Sequence, residues 1–389
     1  MQLAENLSRL GTESAFTVMA QAAKIEAAGH HVINLGIGQP DFPTPDHIVE
    51  ASIQALRNGA HGYTAANGIP ELRQSVAHYL HRQYKTEINP DNVLIVPGGK
   101  VTMWLTILIF GGKGGEILYP DPGFPIYASA INYTGATACP YPLLEENQFA
   151  FSADDLLSRI TDKTRLIIIN SPANPTGGVT PIEELDKLAE GLKAFPNVAI
   201  MSDEIYSRML YEGQKHKSIL EYEHLRGRAI LLDGWSKTYA MTGWRMGFSV
   251  WPDKLIDHAT RLCINSHSCV NAAAQYAGLE ALNGPQDAVD DMLHAFDERR
   301  VYIAKAINQI PKLSCITPAG AFYAFINIKK TGLSALEMQN RLLNEAHVVS
   351  IAGTSFGNYG EGYIRLSYAN SLENIREAIT RIDGFIRNL

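Results

Sequence analysis

Residues 229–250 read AILLDGWSKTYAMTGWRMGFSV. The segment opens and closes on short apolar runs, AILLDG and GFSV. Between them lies a turn rich in glycine and tryptophan. It holds Lys237 between Ser236 and Thr238, with Arg245 eight residues further on. Brief, nearly all-apolar runs bounded by turn formers read as strands covered on both faces. A lysine just beyond such a strand is either one of two scattered surface cations or an amine held in a pocket. The rest of the chain decides between them.

The same pattern recurs on the N-terminal side of this segment. NVLIVP (92–97), EILYP (116–120), RLIIIN (165–170) and VAIMSD (198–203) are further strands, with helical segments at 100–110, 124–134 and 181–195 between several of them. Alternation of this kind predicts an α/β fold, a mostly parallel sheet between helices, with ligands beyond the carboxyl ends of the strands. Toward the N-terminus, residues 14–28 form an Ala-rich helix stopped by Gly29. Thr44-Pro45-Asp46 carries an N-cap, a first-turn proline and an acid. Another helix runs from Gly68-Ile-Pro-Glu to Tyr84. A long helix over 285–309 leads into a mixed region, 314–389. The expected organisation is an N-terminal arm and helix, 1–45, joining a small α+β domain, 285–389, with a large domain over 46–284.

Composition narrows the function. The chain has 389 residues, 46% apolar and 19% charged, with a net charge of −7. A dispersed negative charge without basic runs excludes a nucleic-acid or anionic-membrane surface. No apolar run approaches the roughly 20 residues that span a bilayer. The N-terminus lacks a basic region followed by an apolar one, and the four cysteines are irregularly spaced. A reducing cytoplasm is therefore expected. Cys263, His267 and Cys269 lie close together but lack the paired spacing of a zinc site, so no metal is expected.

Chemistry concentrates just past the strand ends. Gly98-Gly99-Lys100 precedes a helix, and two glycines there let backbone N–H groups approach an anion. It is not a Walker A loop, and Gly36-Ile-Gly38-Gln-Pro-Asp41 is not a dinucleotide fingerprint. Ser171-Pro-Ala-Asn174-Pro-Thr-Gly-Gly178 is a tight loop that also offers an amide. VAIMSD ends on Asp203, an acid that is expensive to bury unless paired. It reads equally as a helix N-cap or as an anchor for a protonated ring nitrogen. An amine, an acid, an amide and a phosphate clamp together are the inventory for pyridoxal 5'-phosphate.

With those segments in view, the chain resembles the class I/II aminotransferases of the aspartate aminotransferase superfamily, pyridoxal-phosphate enzymes of fold type I. The resemblance runs from LGIGQPDFPTP to YIRLSYA, and SKTYAMTGWRMG, SPANPTG and SDEIY carry it. It implies a seven-stranded-type sheet in the large domain. It also implies that Lys237 forms a covalent aldimine with the cofactor and then moves the proton, and that Asp203 meets the pyridine nitrogen. Asn174 and Tyr206 would bond the phenolic oxygen. Gly99, Lys100, Ser236 and Arg245 would hold the phosphate, and Phe124 would stack on the ring. Arg365 would bind the substrate α-carboxylate beside Gly38 and Asn174. Tyr63 would reach the phosphate of a neighbouring subunit, implying a homodimer with shared sites.

The chain departs from the family pattern in places. Gly234 stands where a hydroxyl residue often helps to hold phosphate. No arginine lies closer than Arg261 to the position, near Ile264, that reads a distal carboxylate in one subgroup. Ser268-Cys269-Val270-Asn271 replaces a Ser-Asn-Pro segment. The expected activity is a ping-pong aminotransferase acting on an L-amino acid and a 2-oxo acid, 2-oxoglutarate first. Aspartate is the first donor, with aromatic amino acids, alanine or kynurenine as rivals. The alternative is a C–S β-lyase on the same fold. A cofactor-sensing regulator is disfavoured, because its DNA-binding module has no counterpart in this sequence.

Overall fold

The computed structural model describes residues 1–12 and 14–389. Its strands in chain order are β1 (Ile33–Asn34), β2 (Val93–Val96), β3 (Glu116–Asp121), β4 (Thr137–Pro142), β5 (Thr164–Asn170), β6 (Ala199–Asp203), β7 (Ala229–Gly234), β8 (Gly247–Val250), β9 (Ser314–Cys315), β10 (Tyr323–Asn327), β11 (Val348–Val349), β12 (Ile351–Ala352) and β13 (Tyr363–Ser367).

Seven of them build one sheet in the order β2-β8-β7-β6-β5-β3-β4. β7-β6-β5-β3-β4 pair parallel, and β8 runs antiparallel between β7 and β2. Successive residues of β5 show why the strands read as continuous apolar runs. Leu166 and Ile168 enter the core on one face, and Ile167 and Ile169 enter the core on the other. Both faces are therefore dry, as a parallel sheet requires. The six strands read from the large region of the sequence all belong to this sheet, whose seventh member is β4. TACPYP carries two prolines, which weaken a strand reading, but β4 is the outermost strand, where a missing N–H is tolerated.

A second sheet, in the order β12-β13-β10-β9, is antiparallel throughout. β1 pairs parallel with β11, so the segment after the first helix is stitched to the C-terminal region. Ile33 and Leu35 share a core with Tyr323, Ile364 and Leu366. The long helix Asp287–Ile307 joins that core through Met292, Phe296 and Ile303. Among the described residues no helix is long and apolar enough to cross a membrane.

One helix start differs from its reading. The helix Asp46–Arg57 is preceded by Pro45 in the N-cap position and has no side-chain cap. The Thr44 hydroxyl is engaged elsewhere. It donates to Ala240 O at 2.8 Å and accepts from Trp244 Nε1 at 3.0 Å. Its use is to brace the lysine-bearing turn rather than to start the helix.

Candidate active site

The carboxyl ends of β5, β6 and β7 converge with the Gly98 turn on one cavity of about 610 Å³. Close backbone approach sets its floor. Gly98 has φ +92, and a Cβ there would stand 2.3 Å from Arg245 Nη2. That turn starts the helix Gly99–Phe110, whose first residues, Gly99 and Lys100, line the cavity. Arg245 lies across it, with Nη1 donating to Thr242 O at 2.8 Å. Gly234 also has a steric reason, since a Cβ there would meet Gly247 Cα at 2.9 Å. The family's hydroxyl residue has no room at this position.

Lys237 enters from the turn after β7. Its Nζ donates to Gly38 O and stands 6.0 Å from the Tyr206 ring and 5.7 Å from the Phe322 ring. The buried Ser236 lines the same cavity. Asp203 closes β6 and is buried. It accepts a hydrogen bond from Tyr127 Oη at 2.7 Å and from Ile205 N at 3.3 Å. No helix follows it, so the N-cap alternative does not apply. Burial raises its pKa from the ordinary 3.8 to about 6, against the lowering effect of those two donors and of Lys237.

Asn170 ties the neighbouring strand ends together. Its amide donates to Asp203 O at 3.0 Å and its oxygen accepts from Asn174 N at 3.0 Å. Asn174 Oδ1 in turn accepts from Arg365 Nη1 at 2.8 Å, while Arg365 Nη2 donates to Gly36 O at 2.6 Å. Arg365 is 4% exposed on β13, an inner strand of its sheet. Its guanidinium lies 4.5 Å from the Tyr323 ring and 4.7 Å from the Phe356 ring. The Tyr206 and Tyr323 hydroxyls are 2.8 Å apart. Lys100 Nζ stands 5.3 Å over the Phe124 ring.

Gly38, Gly99, Lys100, Phe124, Asn174, Asp203, Tyr206, Ser236, Lys237, Arg245 and Arg365 therefore line one cavity. Tyr63 does not. It is 92% exposed on the molecular surface. Sequence reasoning missed Tyr127, Asn170, Tyr323 and Phe356. Tyr127 and Asn170 had a usable signal, because each lies inside a segment already read as a helix or a strand. Tyr323 and Phe356 reach the site only through long-range packing. Cys263, His267 and Cys269 form no metal cluster, and among the described residues no group of three or more His, Cys, Asp or Glu side chains is placed to hold an ion.

The donor set suits pyridoxal phosphate: an amine, a buried acid with a raised pKa, and an arginine beside a helix N-terminus. Chemically, such an arrangement can hold a phosphate, fix a carboxylate and move a proton. The sequence profile described as Aminotransferase class I and II matches residues 30–382. The aspartate aminotransferase of Bacillus subtilis is 36% identical over 99% of this chain and 99% of its own length. An aromatic-amino-acid aminotransferase 2 of Thermococcus litoralis is 37% identical over 92% of each. The solved aspartate aminotransferase of Thermus thermophilus with maleate superimposes with a TM-score of 0.94 at 30% identity, covering 100% of both chains. Fold and cavity define a fold type I transaminase. The chain belongs to the class I and II aminotransferases, a family generally dependent on pyridoxal phosphate.

Proposed function

We propose that this chain moves the amino group of an L-amino acid, aspartate first, to a 2-oxo acid, 2-oxoglutarate first, in two alternating half-reactions. The observation that carries the reading is the placing of Lys237, Asp203, Arg245 and Arg365 around one cavity. Pyridoxal phosphate, when bound, supplies an aldehyde that takes up amines and a ring that accepts electrons. The residues divide the remaining work. Arg245, Ser236 and the Gly99-Lys100 helix start hold the phosphate, and Phe124 covers the ring. Asp203 keeps the ring nitrogen protonated, and Asn174 and Tyr206 bond the phenolic oxygen. Arg365 fixes the α-carboxylate as a bidentate pair, with Gly38 beside it. Lys237 then moves the proton at Cα, a step worth about 10²–10⁴ in rate.

Lys100, Lys237, Arg245 and Arg365 line the cavity against Asp203 alone among the acids. A phosphate dianion and one carboxylate balance that charge, so it does not by itself select a second carboxylate. Names of relatives point both ways, since aspartate and aromatic enzymes are similarly alike.

Our reading includes a homodimer. A groove of about 810 Å³, lined by Phe42, Leu56, Trp244 and Val270, adjoins the cavity and shares Gln39, Thr242 and Arg245 with it. Tyr63, exposed in one chain, is the residue we expect a second copy to contribute. We also propose three units, with 1–45 and 285–389 forming the smaller body around the 46–284 domain.

The test is a spectral titration of the purified protein with L-aspartate and then other amino acids, without acceptor. Conversion of the bound cofactor to its pyridoxamine form, reversed by 2-oxoglutarate, establishes the transfer and ranks the donors. A spectrum that persists while pyruvate and ammonia accumulate makes the chain a lyase instead.

A further inference from the structure

Asp121 closes β3 and is 2% exposed. Its carboxylate accepts two backbone N–H groups from a distant segment, Asn358 N at Oδ2 and Tyr359 N at Oδ1, both at 3.0 Å. A parallel bond runs from Gly123 N to Phe356 O at 2.7 Å. Between these contacts Gly357 has φ +132, and a Cβ there would stand 2.1 Å from Asp121 Oδ1. Only a glycine lets the backbone press this closely against the carboxylate.

Both ends of the contact lead into the active-site cavity. Phe124, three residues after Asp121, lines one wall, and Ser355 and Phe356 line another. Phe356 also packs against the Arg365 guanidinium. Arg365 also donates to Asn174 and Gly36, on different segments. Phe356, with the Tyr323 ring, supplies a dry face that those bonds do not.

We propose that Asp121 is a positioning residue for the substrate α-carboxylate: it fastens segment 353–360 to the end of β3 and so holds Phe356 against Arg365. The proposal rests on the reading of Arg365 as the carboxylate site. Asp121 touches no reacting atom. Losing its two bonds frees the segment, admits water beside the guanidinium and weakens a charge pair that depends on a dry surround. The effect falls on substrate binding more than on turnover.

The experiment compares holoenzymes carrying Asp121→Asn, which keeps the shape but loses one acceptor oxygen, and Asp121→Ala, which loses both. KM for L-aspartate, L-alanine and 2-oxoglutarate rises together, by about 10-fold or more, because hydrogen bonds to a charged group are lost. kcat stays within roughly 3-fold, and so does the affinity of apoprotein for pyridoxal phosphate measured by fluorescence. Amide exchange at Asn358 and Tyr359 accelerates, since their acceptor is gone. Faster exchange with unchanged KM overturns the proposal. So does a joint loss of substrate and cofactor affinity, which would mark a role in folding alone. If the alanine variant does not fold, the asparagine variant decides. Arg365→Lys separates the two readings. If it raises every KM and Asp121→Asn does not, only the Asp121 proposal falls. If it leaves every KM unchanged, the Arg365 reading fails and this proposal goes with it.

Discussion

Asp203 and Arg365 are both buried charges facing one cavity, yet the fold brings them there differently. Asp203 ends a strand of the large parallel sheet, beside Asn170 on the next strand and ahead of the lysine-bearing turn. Arg365 lies within an inner strand of the small antiparallel sheet and is held by Gly36, Asn174 and the rings of Tyr323 and Phe356. On the first side, neighbouring strand ends line up functional groups almost automatically. On the second, the site depends on contacts between segments up to 329 residues apart. The proposed cofactor side is thus built on a rigid frame, and the proposed substrate side on packing that single contacts can loosen.

That contrast breaks most sharply at Lys237. Lys237→Ala is expected to lower kcat by about 10⁴-fold, through loss of the proton-moving base. Turnover near the wild-type rate would remove the assignment. Arg365→Ala comes next, with KM for all amino donors rising together on the order of 100-fold, as when a charge-assisted bidentate bond is lost. A loss confined to one donor would instead place Arg365 at a side-chain pocket.

Asp203 sharpens the comparison through pH. Its folded pKa of about 6 lies above the ordinary 3.8, so the folded chain without cofactor holds a proton that the unfolded chain has released. The associated stability is fully present below the unfolded pKa and is lost as pH rises through about 6. Asp203→Asn cannot titrate. Relative to that variant, the wild-type apoprotein is expected to lose about 2–3 kcal/mol between pH 4 and 7 in denaturant melts. A constant difference across that range would contradict the burial account.

The smallest expected effect is at Thr44, which braces the lysine turn. Thr44→Val removes its bonds to Ala240 O and Trp244 Nε1. It should lower stability by about 1–3 kcal/mol while leaving substrate KM in place. A large KM change would make Thr44 part of the binding site.

The two sides also differ in how much of them was legible. β5, β6 and β7 announce themselves as short apolar runs, and Asp203 and Lys237 follow directly from where those runs stop. β4 was hidden because its prolines argue against a strand unless its edge position is known. Thr44 looked like a cap because local sequence cannot reveal a partner almost 200 residues away, at Ala240 and Trp244. Arg365 could be placed only through the family resemblance. Nothing local to GYIRLSYA marks it as buried. Tyr127 carries no local mark of its role, since its partner Asp203 lies 76 residues away at the end of a strand. Chemistry carried by strand ends is readable, whereas chemistry assembled across sheets is not.

The measurement that tests the central claim most directly is borohydride reduction of the protein saturated with pyridoxal phosphate, followed by peptide mass mapping. The account predicts a single cofactor adduct on the peptide that contains Lys237, absent from Lys237→Ala. An adduct on Lys100 or another lysine, or none at all, would contradict it.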